Sequence, residues 1–404
     1  MGSSMNTAVS GLRAHQLMLD VTANNISNVN TPGFKGGRAT FSDVLSQTIA
    51  GATAPTGAVG GTDPQQVGLG VRTGAITNLF TQGGILTTNK VTDLAIQGEG
   101  FYILSDGSAN YYTRAGAFEV DAAGNLVDSI TGYRVQGNNG DIVISSTATT
   151  PPSASTTATF TGNLDSTVAA GATYTGTISV NDSLGGLHTL SMTFTKTANP
   201  GEFTYATTEA DAAMSIASGG TGTIQFNGAG TITAGATGTT TLNFSNGAAS
   251  GQAVTFDFAS AANAAPVTGY ASPSTLALAS QDGYASGTLQ SISIGTDGTI
   301  NGTFSNGRIQ ALGQIRLATF PNPAGLSKMG NNLFRESANS GVANIGNPGT
   351  GGRGTLAPGA LEGSNVDLAE EFVRLIVAQR GFQANARVIT TSDEVLQEAV
   401  NLKR

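Results

Sequence analysis

The sequence predicts an α+β fold, mainly β, in which terminal coiled-coil-like helices pair the N- and C-termini. Two or more outer β domains, one inserted in the other, lie between them. Three observations predict this. Apolar residues recur in alternating steps of four and three at both ends of the 404-residue chain. Between the ends, short alternating runs are broken by Asp-Gly and Asn-Gly pairs, the signature of hairpins. Charged residues make up only 11% of the chain while it carries 56 glycines, which fits many turns and a lightly charged β surface.

The first helix is expected within residues 1–32. Met5, Val9, Leu12, Gln16, Leu19, Ala23 and Ile26 keep the four-three spacing and are mostly apolar. It runs into "ANNISNVNTPGFKGG", residues 23–37, where Asn24, Asn25, Asn28 and Asn30 crowd its end. Asparagine competes for backbone hydrogen bonds and forms helices poorly. Pro32 holds Thr31 extended, and Gly33, Gly36 and Gly37 permit a reversal. Stopping a helix needs one or two such residues, so Asn24 and Asn25 are also expected to meet another subunit.

Residues 33–66, rich in Gly, Ala, Thr and Pro towards their end, are expected to form a linker. Residues 67–145 should begin a β domain: "FYILSDGSANYYTRAGAFEVDAAGNLVD" alternates about Asp106-Gly107 and Gly124-Asn125. Residues 146–280 should be an inserted outer β domain, bounded by "TATTPPSASTTAT" and "ASPSTLALASQDGYASG". Residues 281–362 should complete the first β domain, with hairpins at Asp297-Gly298, Asn301-Gly302 and Asn306-Gly307, and a loop over 321–362.

The second helix falls within 363–404. Leu368, Phe372, Leu375, Gln379, Phe382, Ala386, Ile389, Asp393, Leu396 and Val400 repeat the seam. Asn365 is the expected N-cap, with Asp367, Glu370 and Glu371 near the positive end of the helix. From Val366 to Asn401 it would reach about 54 Å at about 1.5 Å per residue, long for a compact domain. Val373, Val377, Ala384, Val388, Val395 and Leu402 make a second apolar face. Two long seams at opposite ends of one chain are expected to pack on each other and on neighbouring subunits. The residues expected to carry assembly are Val9, Leu12, Leu19, Asn24, Asn25, Ile26 and Asn28 on the first segment. On the second they are Leu368, Phe372, Leu375, Phe382, Ile389 and Leu396.

The search for chemistry excludes more than it finds. Net charge is −8 and no Lys/Arg run exists, so nucleic-acid binding is not expected. No arginine lies between Arg134 and Arg308, and Lys196 is the only lysine between Lys90 and Lys328. There is no cysteine, which removes thiol catalysis, disulfides and thiolate metal sites. Neither the start nor any later run has the apolar core of a signal peptide or a membrane span, so membrane insertion is not expected. A product working outside the cell is expected to leave by another route. The two histidines stand apart: His15 falls in the first helix, with a core or interface role, and His188 in a strand where it is expected to be exposed. "GEGFYI", 98–103, lacks the third glycine and the following helix of a dinucleotide site. Asp121, Asn125 and Asp128 lack calcium-loop spacing and fit a hairpin turn. No enzyme, cofactor or metal is expected.

At this point several segments resemble one family. "ANNISNVNTPGFK" resembles the signature after the N-terminal helix of flagellar rod and hook proteins. "GVRTGAITNLFTQGGILTTNKVTDLAIQGEGFYIL", "YYTRAGAFEVDAAGNLVD" and "TGYRVQG" resemble that family's shared β domain. "LEGSNVDLAEEFVRLIVAQRGFQANARVITTSDEVLQEAVNLKR" resembles its C-terminal helix. The resemblance covers roughly the first 137 and last 45 residues. Within the family, the large β insertion favours the hook over the distal rod, a shorter chain. The resemblance implies a self-polymerising, curved and flexible tube joining motor to filament, outside the cell, exported by the flagellar type III apparatus. Implied partners are further copies of the chain, the distal rod, the hook cap and the hook–filament junction proteins. The alternatives are another axial component, chiefly the distal rod, a secreted β-rich adhesin on a helical stalk, and a carbohydrate-active β enzyme. The last would need a carboxylate pair in a cleft, and the near-chargeless region 150–280 argues against it.

Overall fold

The computed structural model describes residues 2–55, 57, 60–145, 147–259 and 265–401. The chain divides into two compact units: residues 1–145, 292–301 and 311–404 form one, and residues 146–291 and 302–310 the other.

In the first unit, α1 (Gly2–Ser27) and α2 (Leu368–Asn401) lie side by side and antiparallel. α1 ends where the asparagines take over its backbone: Asn28 donates its side-chain amide to the Asn24 carbonyl at 2.9 Å. Gly33, at φ +69°, presses on the backbone of Ala115, where a side chain would collide, and its N–H reaches the Glu362 carbonyl at 2.7 Å. α2 starts later than expected. Asp367, not Asn365, caps it, its Oδ1 accepting the amide of Ala369 at 2.8 Å. Asn365 instead accepts the Gly36 amide and donates to the Leu79 carbonyl, because the strand beside it offers partners before the helix begins.

The expected linker contains strands. Gly37–Asp43 pairs antiparallel with Val71–Asn78, and Ser46–Ala50 with Gln65–Gly68. The second pair is exposed along both strands, so it shows no inside-outside alternation from which to read it. The expected loop over 321–362 likewise contains strands, among them Leu333–Arg335, Thr355–Pro358 and Ala360–Glu362. They are legible only through their partners, far back in the chain: Leu333–Arg335 pairs with Asn110–Thr113, Thr355–Pro358 with Leu94–Gln97, and Ala360–Glu362 with Ile85–Thr87. Asn301-Gly302 lies inside the strand Thr299–Phe304 rather than in a turn. The main sheet of this unit has ten strands and a core of Phe101, Ile103, Tyr112, Phe320 and Phe334, with Phe80 edge-on to two of the rings.

The second unit holds two five-stranded sheets around one core. One sheet runs Thr173–Asn181, Leu187–Lys196, Glu202–Glu209, Thr221–Phe226, Ile232–Ala234. The other runs Met214–Gly219, Thr237–Phe244, Gln252–Asp257, Thr157–Thr161, Ala277–Gln281, with one parallel pairing, Thr157–Thr161 on Gln252–Asp257. Alternate residues of Leu187–Lys196 turn inward, so Leu190, Met192 and Phe194 meet Leu242, Val254 and Phe256 in that core.

Candidate assembly surface

The helix pair approaches through small residues. On α1 the face turned inward carries Ala8, Gly11, Ala14, Thr22 and Asn25; on α2 it carries Glu371, Ala378, Gly381 and Asn385. A Cβ on Gly11 would lie 2.8 Å from the Asn385 amide, and one on Gly381 would strike the His15 ring. His15 therefore sits within the helix pair. This face is mostly offset from the expected seam by one residue, 8, 11, 22 and 25 against 9, 12, 23 and 26, and 371, 378, 381 and 385 against 372, 379, 382 and 386, while Ala14 lies two residues before Gln16. One residue is about 100° of helix. The helices pair as expected, but across glycine and alanine, because only small side chains let two backbones come this close.

The large apolar side chains are consequently left beside the contact, facing outward. Val9, Leu12, Leu19, Ile26, Leu375 and Ile389 are half-buried, whereas Leu368, Phe372, Phe382 and Leu396 are exposed. Along the first half of α2, Phe372, Val373, Ile376 and Val377 remain 52%, 60%, 55% and 55% accessible. A helix apolar on several sides is stable only when its remaining sides are covered. Ile376 belongs to neither sequence-derived face, since its position falls between them. Val9 also lines an open groove of about 500 Å³ with Ser10, Arg13, Val71 and Arg72.

The asparagines separate into two roles. Asn24 is exposed and Asn28 half-buried. Asn25 is buried and exchanges two hydrogen bonds with Gly37 at 2.8 and 2.9 Å, a contact inside the chain that the sequence reading did not include. These bonds take one of the two amide hydrogens and one of the two oxygen lone pairs of Asn25 and anchor the end of α1 to the crossing strand.

Below the helices, the quoted motifs converge on a buried ionic cluster absent from the sequence-derived sites. Lys35, from "TPGFK", places Nζ 2.7 Å from Glu362 Oε1 and 2.7 Å from the Thr81 carbonyl. Glu362, from "LEGSN", also accepts the Gly83 amide at 2.9 Å. Arg114, from "YYTRAG", lies with Nε 3.0 Å from Glu362 Oε2, close enough to pair but poorly aligned for a hydrogen bond. Its NH1 donates to the carbonyls of Gly98 and Gly100 at 2.9 and 2.7 Å. Burial pushes the Lys35 ammonium below its ordinary pKa, and Glu362 opposes that shift. A single carboxylate thus ties together the segment leaving α1, the segment entering α2 and the β body. The signal available in the sequence was three charged residues within largely apolar or glycine-rich motifs, in a chain where charge is scarce.

His188 departs from expectation too: it is buried, with both ring nitrogens on carboxylates. The Asp121–Asp128 region is a hairpin turn, Asp121 accepting the amides of Ala123 and Asn125.

Four family models match. They are the flagella basal body rod protein over residues 5–35, the flagellar hook protein FlgE/F/G D1 domain over 95–161, the flagellar basal body protein FlaE D2 domain over 145–284, and the flagellar basal body rod FlgEFG protein C-terminal over 357–402. The flagellar hook protein FlgE of Treponema pallidum is 38% identical, with 99% of each chain covered. That of Borreliella burgdorferi is 37% identical, again over 99% of each. The flagellar basal-body rod protein FlgG of Bacillus subtilis is 33% identical over 99% of each chain. With an N-terminal rod segment, the D1 and D2 domains and the shared C-terminal helix in order along its length, the chain belongs to the flagellar hook protein family.

Proposed function

We propose that this protein polymerises with copies of itself into the flagellar hook, a curved and flexible tube that couples the motor rod to the filament. Its role is structural. The observation that carries this reading is the helix pair, which uses its small-residue face within the chain and leaves Phe372, Val373, Ile376 and Val377 more than half exposed. Burying such side chains yields about 25 cal/mol per Å², a gain available once neighbouring copies cover them. The seam residues Val9, Leu12, Leu19, Ile26, Leu368, Phe372, Leu375, Phe382, Ile389 and Leu396 then form the walls of a helical inner tube, with Asn24 and Asn28 at its edge. The β units would carry the outer surface. Their sparse charge lets neighbours slide without breaking ion pairs, so the tube bends while the helical wall transmits torque.

This role entails export through the flagellar type III apparatus without a cleaved signal peptide, and a location outside the cell. It also entails end contacts with the distal rod, the hook cap and the hook–filament junction proteins. Electron microscopy of the purified protein and of cells lacking it tests the reading. Curved tubes from the protein, and motors that keep a rod but lack a hook, are expected. Loss of the rod itself would favour the second reading, a distal rod component, which the full-length likeness to a rod protein at 33% identity supports. Protein that stays monomeric at high concentration, in cells whose hooks are intact, would overturn both.

A further inference from the structure

The second unit holds one imidazole between two carboxylates. His188, in the strand Leu187–Lys196, is 4% exposed. Its Nε2 lies 3.0 Å from Asp182 Oδ2 and its Nδ1 2.7 Å from Asp211 Oδ2. Asp182 comes from the turn after Thr173–Asn181, and Asp211 from the turn between Glu202–Glu209 and Met214–Gly219. Asn246, just beyond Thr237–Phe244, donates to the same Asp182 oxygen at 2.6 Å, and the Phe244 ring lies 4.7 Å from the imidazole. Among the described residues, Asp182 and Asp211 are the titratable groups that these elements turn towards the ring.

Ionised carboxylates only accept hydrogen bonds, so each ring nitrogen must donate. A neutral imidazole has one N–H; the imidazolium has two. The arrangement therefore calls for the charged ring on the positions of the atoms alone. The two carboxylates are not equivalent. The Asp182 side chain is wholly buried, and its Oδ1 takes the amides of Leu184 and Gly186 at 2.9 and 2.7 Å. The Asp211 side chain is 33% exposed, and its other oxygen takes the Ala213 amide at 2.9 Å. Water can replace the imidazole at Asp211 but not at Asp182. After loss of a proton the remaining N–H stays with Asp182, and the bond to Asp211 breaks.

We propose that His188 is a proton-operated latch: charged, it pins the turn at 210–213 to the turns carrying Asp182 and Asn246, and on deprotonation it releases the 210–213 turn alone. Burial favours the neutral ring, but the bonds and charges of Asp182 and Asp211 outweigh it and raise the His188 pKa above its ordinary value of 6.5. A raised folded-state pKa gives stability that is complete below the unfolded value and disappears as pH rises through the folded one. The latch is therefore shut below the folded-state midpoint, which is raised above 6.5, and opens as pH rises through it.

The full-length monomeric chain has only two histidines, so its nitrogen-15 imidazole spectrum contains two rings, and His188→Gln identifies which is which. The His188 midpoint should lie above 6.5, and below it both ring nitrogens should carry protons. Amide-exchange protection factors at 210–213 should fall through that same midpoint, while those at 184–186 hold. A midpoint at or below 6.5 overturns the proposal. So does protection at 210–213 that ignores the titration, or that is lost together with 184–186. Should His188→Gln fail to fold, Asp211→Asn, at a partly exposed position, serves instead. It should lower the His188 midpoint and remove the pH dependence at 210–213; an unchanged midpoint overturns the latch.

Discussion

At the scale of single residues, the buried charges carry the sharpest consequences. Glu362 has a cation on each side, and both cations are otherwise held only by backbone carbonyls. Removing one partner strands buried charge, which costs about 3–5 kcal/mol. Glu362→Gln should lower monomer stability by about that amount, read as a fall in the denaturant midpoint at unchanged slope; a change below about 1 kcal/mol would assign the cluster no structural role. Asp182 contributes to the acid limb of the second unit. Burial alone would raise its carboxyl, but hydrogen bonds from Asn246, His188 and the amides of Gly186 and Leu184 outweigh burial and hold it at about 2. A depressed folded-state pKa gives stability that is complete above the unfolded value, near 4, and is lost as pH falls towards 2. Asp182→Asn should reduce the fall of the second unit's melting temperature with pH over that window; an unchanged slope would assign Asp182 no part in it. None of these roles was legible in the sequence: His188 and Asp182 lie six residues apart, yet Asp211 and Asn246 reach them only after the sheets close.

The elements show why periodicity was informative yet incomplete. Spacing of four and three identified both helices. It did not identify their mutual face, because that face is written in Gly11, Ala14, Ala378 and Gly381, residues that carry little hydrophobic signal. The contact depends on their lack of volume. Gly381→Ala, whose new methyl would strike the His15 ring, should force the helices apart and impair tube formation, while thermal melting of the β units stays unchanged. Charge on the outward side acts differently. Phe372→Glu or Leu375→Glu should leave the β core intact and abolish polymerisation, seen by sedimentation and electron microscopy; tubes of ordinary yield would remove α2 from the wall. In dilute monomer the pair buries mainly small side chains, which contribute little against the entropy of ordering two long helices. Residues 5–28 should therefore show weak amide-exchange protection that rises on assembly, and strong protection in the monomer would refute the assignment.

For the whole molecule, the second unit is a module with adjoining ends. Ser153 and Tyr284 exchange two backbone hydrogen bonds at 2.9 Å, so a short turn can replace everything between them. A chain lacking 154–283 should still form tubes of altered curvature or stiffness, measured from electron micrographs. Failure of all assembly would contradict a division of labour between helical wall and outer β units.

The sequence by itself determined the mainly β character, the two terminal helices, the helix stop among the asparagines and, through its motifs, the family. Each of these rests on local pattern: spacing, turn residues and short signatures. Tertiary structure alone decided which helix face closes on which, that the stretch after α1 is strand, that Asn25 binds Gly37, and that Lys35, Arg114 and Glu362 share one buried site. Those choices depend on pairing between residues tens to hundreds of positions apart, where fit and desolvation set the energy and the local pattern is silent.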